Sequence, residues 1–263
     1  MTPEKPSREL SVGEIISQTF NLYFSKFPQF FLPFLIAGII TGISNYAIYS
    51  YFPFPAQPSG MPPFEELIAW FFAFLATFIA ITVLSILISV IIGAITAGIA
   101  VKYASDQIEK GSSNLGNSFN YAMPMFPSLF VAQLVTVILT VIGLVFFVIP
   151  GIIIAIMLSL IIPAIIIEQR GAFESLGRSR RLVNNRWLKT FGLLIIIVLI
   201  MGLTALIVGA LVAPLTTVYP YIDQLISGII TAFVAPISPI AMTYLYYAMV
   251  ARETPPPRPP PTL

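Results

Sequence analysis

The chain has 263 residues, of which only 9% are charged and 57% are hydrophobic, and a mean hydropathy of +0.94; a soluble fold of this size could not cover so much apolar surface. A net charge of +2 is too small to point to nucleic acid as a partner. Zero Cys removes disulfides and thiolate chemistry, and zero His removes the commonest metal ligand and general base, so neither a cofactor nor a metal is expected.

Residues 1–9 read as a cytoplasmic tail, 10–252 as one polytopic membrane domain, and 253–263 as a Pro-rich cytoplasmic tail in extended polyproline. A helix needs about 20 mostly apolar residues to cross roughly 30 Å of hydrocarbon and must satisfy its own backbone there. Six runs meet that need, at about 28–52, 67–101, 128–149, 152–167, 190–213 and 222–250, which predicts an all-α membrane protein with six transmembrane helices. The first is a retained span, because no small-residue cleavage site accompanies it. The second is too long for one perpendicular crossing and too short for two with a turn, so a single tilted or protruding helix is expected. Between the third and fourth, Pro150-Gly151 reads as a hairpin turn.

The charges test this topology independently. With the N-terminus inside, Lys5, Arg8, Lys26, Lys102, Lys110, Arg170, Arg178, Arg180, Arg181, Arg186, Lys189, Arg252 and Arg258 all fall on the cytoplasmic side, and these are all 13 basic residues. The outer side keeps Glu65, Glu66 and Asp223. Both termini are therefore expected in the cytoplasm of a multi-pass protein of the cell membrane. Tyr46, Tyr49 and Tyr51 at one end, and Tyr244, Tyr246 and Tyr247 at the other, fit interfacial belts.

Three segments repeat one pattern: SVGEIISQTFNLYFSKFPQFF from Ser11, NLGNSFNYAMPMFPSLF from Asn114 and FESLGRSRRLVNNRWLKTF from Phe173. Each is a polar amphipathic stretch that runs into two spans. Ser11 and Glu14 have capping-box spacing, and Val12, Ile16, Phe20, Tyr23 and Phe27 fall on one helical face. In the third segment Phe173, Leu176, Val183 and Trp187 fall together, with Arg178 and Arg181 turned away. The expected architecture is three repeats of an interfacial amphipathic helix, apolar side down, plus a two-span hairpin.

The run GLVFFVIPGIIIAIMLSLIIPAIIIEQRGAFESLGRSRRLVNNRWLKTFGL, with the closing IAMTYLYYAMVARE, resembles the membrane domain found in front of some bacterial glycerophosphoryl diester phosphodiesterases, and YciC-like membrane proteins are similar. The likeness is best over 142–191 and rests on Pro150-Gly151, Glu168, Ser179 and Trp187; Ser175 stands where Ala is usual. It implies the membrane unit alone, since the phosphodiesterase chemistry belongs to a soluble barrel that these residues do not include.

Candidate functional residues fall into two groups. Arg170, Arg178, Arg180, Arg181, Arg186 and Lys189 form the densest charge, suited either to anionic lipid headgroups or to anchoring the topology. Gln133, Thr136 and Thr140 share a face of the third span, and Pro236 and Pro239 interrupt the sixth, so together they mark a polar cavity or hinge or, more plainly, helix packing and a static kink. Ser85, Ser89, Gly93 and Ala97 recur every four residues on the second span, a spacing for close packing. No ionisable residue falls at mid-membrane depth. These features favour a non-catalytic scaffold or lipid-handling protein at the inner leaflet, with membrane lipids and either further copies of itself or another membrane protein as partners. A transporter or channel for a small or hydrophobic substrate is the alternative, and an intramembrane enzyme has the weakest case because nucleophile and base are missing.

Overall fold

The computed structural model describes residues 5–216 and 222–253; the Pro-rich segment 254–263 and the side chain of Asp223 lie outside the described residues. All regular structure among the described residues is helical: α1 (Val12–Ser25), α2 (Phe27–Tyr51), α3 (Phe64–Lys110), α4 (Leu115–Ala122), α5 (Phe126–Phe146), α6 (Val148–Met157), α7 (Ile161–Glu168), α8 (Ala172–Val183), α9 (Trp187–Thr216), α10 (Ile222–Thr231) and α11 (Ile237–Glu253). Among the described residues, five stretches are long and apolar enough to cross a membrane: Phe27–Tyr51, Phe64–Lys110, Leu115–Phe146, Val148–Glu168 and Trp187–Pro214. This is a membrane-embedded protein. The sixth expected span is divided into α10 and α11 by a turn at 232–236, where Pro236 and Pro239 remove two backbone donors from the ladder.

The expected long second helix is α3, unbroken over 47 residues and so about 70 Å long. Gly111, at φ +69°, ends it and turns the chain back along it into α4. Gln169, at φ +53°, does the same between α7 and α8. α1 lies antiparallel on α11: the Lys5 ammonium sits 5.1 Å over the Tyr247 ring near one end, and the Tyr23 hydroxyl donates to the Phe233 carbonyl at 2.6 Å near the other. The ends of α3, α7 and α11 nearest the basic residues pack on one another at the centre, and α1, α4 and α8 surround them. The rest of α2, α3, α5, α6, α9 and α10 forms a sleeve whose outer face is Leu, Ile, Val and Phe, the surface expected against lipid tails.

This arrangement corrects three expectations. α1, α4 and α8 do not leave an apolar side free; each packs along a partner helix, α11, α3 and α7 respectively. In α8 the packed face is Ser175, Arg178, Ser179, Leu182 and Val183, while Phe173 and Trp187 are exposed, because the hairpin buries the side that faces α7 and not the most apolar side. Tyr244, Tyr246 and Tyr247 are not an interfacial belt: all three are buried in the central cluster. Ser11 and Glu14 do form the capping box, with the Ser11 amide donating to the Glu14 carboxylate at 2.7 Å and the Glu14 amide donating to the Ser11 hydroxyl at 3.3 Å.

Pro150-Gly151 lies inside the first turn of α6, and the hairpin bends at the extended residue Phe147. Proline is tolerated there because first-turn N–H groups have no partner. Gly151 is required, since a Cβ on it would fall 2.5 Å from the Leu144 amide nitrogen. The hairpin tip is apolar throughout, with Val145, Phe146, Phe147, Val148 and Ile149 each 62–75% exposed. α5, at 21 residues and about 31 Å, only just matches the hydrocarbon thickness, so this tip is expected to end within lipid and not in a watery loop. The chain lacks Cys, so single cysteines report directly: Ser59→Cys, on the 52–63 connection, should react with a membrane-impermeant maleimide added outside, and Ile149→Cys only after detergent is added. Equal labelling of both in the intact membrane would refute the buried tip.

Candidate functional site

Two cavities flank the contact between α2 and α3. The first, about 510 Å³, is an apolar groove between these helices, roofed by α4. Leu32, Ile36 and Ile40 of α2 and Ile92, Ile95 and Ile99 of α3 form its walls, and Phe119 and Asn120 of α4 close one end. The second, about 340 Å³, is a cleft among α2, α3 and α10 with six polar side chains: Thr41, Asn45, Ser89, Thr96, Ser227 and Thr231.

Small residues make the cleft possible. α2 and α10 cross at Gly38 and Gly228, where a Cβ on either residue would fall 2.2–2.3 Å from the other's carbonyl oxygen. Gly38 and Gly42 are four apart, as are Gly228 and Ala232, so each helix presents a small-residue notch to the other. The predicted stripe on α3 performs two tasks: Ser85 donates to the Asn45 amide oxygen at 3.1 Å, and Ser89 and Gly93 line the cleft. Gln133 of α5 lies against the same glycine, its Nε2 being 3.2 Å from where a Gly93 Cβ would stand. The Gln133 Oε1 and Thr140 Oγ1 atoms are buried without a hydrogen-bond partner among the described residues, while Thr136 donates back to the Ala132 carbonyl at 2.8 Å. Of the cavity or hinge candidates, Gln133 thus reaches the cleft wall from behind, while Pro236 and Pro239 are not in its lining, which ends at Ala235 beside Pro236. Thr41, Asn45, Ser227 and Thr231 carry no sequence signal of their own; the four-residue glycine spacing on α2 is the mark that could have found them.

Two helix breaks are treated differently. Between α6 and α7, the Ser179 hydroxyl of α8 donates to the Met157 carbonyl at 2.7 Å and accepts from the Leu160 amide at 3.0 Å, closing the gap. Between α10 and α11, Tyr23 satisfies only the Phe233 carbonyl.

At the basic end, the expected headgroup cluster splits. Arg178, its side chain only 9% exposed, bridges α7 and α11: Nη2 is 2.8 Å from Glu168 and Nη1 is 2.8 Å from Glu253. Burial opposes its charge, and the hydrogen bonds it donates to Glu168 and Glu253 outweigh that and hold its pKa above the ordinary arginine value. Arg170 pairs with Glu168 as well. Arg186 and Lys189 both meet Glu9, at 3.0 and 2.8 Å. Burial raises the Glu9 pKa, but these two cations more than reverse it and leave it lowered. Arg180 and Arg181 are exposed and make no ion pair among the described residues. Lys102 and Lys110 flank Asp106 on α3, and Lys5 reaches Glu109.

No cluster of three or more His, Cys, Asp or Glu suited to a metal ion occurs among the described residues. The cavities offer neutral oxygens and hydrocarbon, and nothing in them forms a nucleophile with its base. No curated protein and no solved structure matches the chain. A family described only as a domain of unknown function, DUF7847, matches residues 114–249; its description names no activity, so the phosphodiesterase-type resemblance stays an expectation. That match covers just over half of the 263 residues and starts at the N-cap of α4, and the chain belongs to the DUF7847 family.

Proposed function

We propose that this chain is a non-catalytic, multi-pass protein of the cell membrane that seats the acyl chain of an inner-leaflet lipid between α2, α3 and α4. The observation that carries this reading is the apolar groove of about 510 Å³, walled by isoleucine and leucine and closed at one end by a helix bearing Asn120. In a bilayer such a groove fills with the surrounding hydrocarbon, and a polar cap at one end favours a lipid with its head at that level. Arg180 and Arg181 are the basic-cluster residues left free for an anionic headgroup, each worth about 1 kcal/mol near a charged surface.

Six spans in three repeats, with both termini in the cytoplasm, complete the proposal. Cyclic packing supports it: α4 stands on α3, α8 on α7 and α1 on α11, and each of the pairs α2 with α3, α5 with α6 and α9 with α10 meets its neighbour around a closed ring. An offset of 160 residues superposes the buried positions Ile15, Thr19, Leu22 and Tyr23 of α1 on Ser175, Ser179, Leu182 and Val183 of α8.

Native mass spectrometry of protein extracted in mild detergent tests the lipid reading and reports subunit number together. The natural chain should retain phospholipid, and Ile36→Trp and Ile95→Trp, which fill the groove, should lose most of it. Equal retention by both variants would end the proposal. Transport is the second reading, favoured by the polar cleft beside a broken helix; solute flux in proteoliposomes that is abolished by Thr231→Trp would support it over the first.

A further inference from the structure

The turn between α10 and α11 has chemistry that lipid seating does not use. In a regular helix the Ala232 carbonyl would accept from residue 236 and the Ala235 carbonyl from residue 239, and both of those positions are proline, which has no N–H. The bonds that do form in the turn end on other oxygens: Ala232 N–H on Gly228, Phe233 on Ile230, Val234 and Ala235 on Thr231, and Ile237 on Val234. Neither the Ala232 nor the Ala235 carbonyl receives a hydrogen bond among the described residues. Inside a membrane protein, irregular backbone persists only where it is buried or lines a wet cavity. Here it does the latter, because Ala232 and Ala235 both line the polar cleft.

We propose that this cleft binds a monovalent alkali cation. Three features select that ligand class. Every polar side chain on the wall, among the described residues, is a neutral oxygen or amide: the hydroxyls of Thr41, Ser89, Thr96, Ser227 and Thr231, and the carboxamide of Asn45. The Thr96 hydroxyl donates to the Ile92 and Gly93 carbonyls, at 2.8 and 3.3 Å, so its oxygen remains an acceptor, and Asn45 Oδ1 receives only the Ser85 hydroxyl among the described residues. The C-terminal end of α10 brings the negative pole of a helix and its unpaired carbonyls to the same place. A divalent ion calls for carboxylates and an anion for cationic donors, and among the described residues the lining contains neither. No titratable side chain among the described residues lines the cleft, which gives a proton no seat on them. About 340 Å³ accommodates a sodium or potassium ion with part of its hydration shell. Half-helix ends with unwound carbonyls are a general way to hold such ions at mid-membrane depth, and Thr41 lies close to the middle of α2 with Asn45 about one turn further on.

The experiment is thermal melting of the purified full chain in detergent, with sodium or potassium chloride titrated against N-methylglucamine chloride at constant ionic strength. The natural protein should show a saturable rise in Tm of roughly 5 °C with one of the alkali ions. Thr231→Val and Ser89→Ala, each of which removes one oxygen without adding bulk, should weaken the apparent affinity several-fold. Pro236→Ala, which returns a donor to the Ala232 carbonyl, should do the same. Thr204→Val on α9 removes a hydroxyl that bonds its own helix at 2.8 Å and should leave the titration unchanged. Identical melting in all three salts overturns the proposal, as does a full alkali response surviving in both Thr231→Val and Ser89→Ala. The groove-filling variants Ile36→Trp and Ile95→Trp leave the cation response intact if lipid seating and cation binding are separate properties.

Discussion

Gly38→Ala is expected to be among the most damaging single-methyl additions available in this chain. The new Cβ would lie 2.2 Å from the Gly228 carbonyl oxygen and 2.8 Å from its carbon, and both are backbone atoms with no rotamer to retreat into. α2 and α10 must therefore part, which opens the polar cleft and strips packing from the helix that carries the Gly228-xxx-Ala232 notch. Overpacking in a core costs about 1–3 kcal/mol when side chains can yield, and a clash of main chain on main chain falls at or beyond the top of that range. Gly228→Ala should match it, its Cβ meeting the Gly38 oxygen at 2.3 Å, and the double variant should be no better than either single one. Gly202→Ala and Gly209→Ala on α9 are the controls. Nothing lies within 4 Å of a Cβ at either position, so the gain in helix propensity should leave Tm unchanged or slightly raised. Melting in mild detergent decides the matter; a Gly38→Ala protein as stable as the natural chain would mean that α2 and α10 do not cross there.

What the sequence discloses and what it hides follow from how local each property is. Apolar runs and capping are local, so α2, α3, α5 and α9 lie close to their expected spans and Ser11 caps α1 as its spacing requires. Helix interruption is local in cause but not in outcome. Pro236 and Pro239 divide the sixth run into two helices, whereas Pro150 is absorbed into a first turn and the bend falls at Phe147, because only the close approach to Gly143 and Leu144 fixes where the hairpin closes. Which face of an amphipathic helix is buried is not local at all. α8 offers an apolar residue at Phe173, but the turn through Gln169 presses the opposite side onto α7, where Ser179 fills a break that no reading of α8 alone discloses. The polar cleft belongs to the same class, since its walls come from helices far apart in the chain that meet through Gly38 and Gly228. The basic cluster was visible as charge and illegible as roles: its acidic partners Glu9, Glu168 and Glu253 arrive from three different elements.

Arg178→Met should lower stability by about 3 kcal/mol, the scale for removing one partner of a largely buried ion pair. The cost arises less from the attraction lost than from the charges left behind. Glu168, 21% exposed, keeps Arg170 and the neutral Tyr246 hydroxyl, while Glu253, 41% exposed, is better served by water and contributes the smaller share. A bridge between the ends of α7 and α11 needs a planar fork, so Arg178→Lys should recover little, because a single ammonium cannot hold both carboxylates at 2.8 Å. Pairing Arg178→Met with Glu168→Gln removes the stranded charge and should restore part of the loss, which an effect of side-chain packing alone would not do. Arg181→Met, at an exposed and unpaired position, should leave Tm unchanged while weakening flotation with anionic liposomes. Arg178→Met measured after mild extraction should show the reverse pattern, with Tm lowered and the surface charge that meets the headgroups largely retained. If the two substitutions behave alike in both assays, the division of the basic cluster into a structural bridge and a lipid-facing pair is wrong. If they separate, anionic lipid meets this protein through Arg180 and Arg181, and Arg178 serves the bilayer only by holding α7, α8 and α11 in register beneath them.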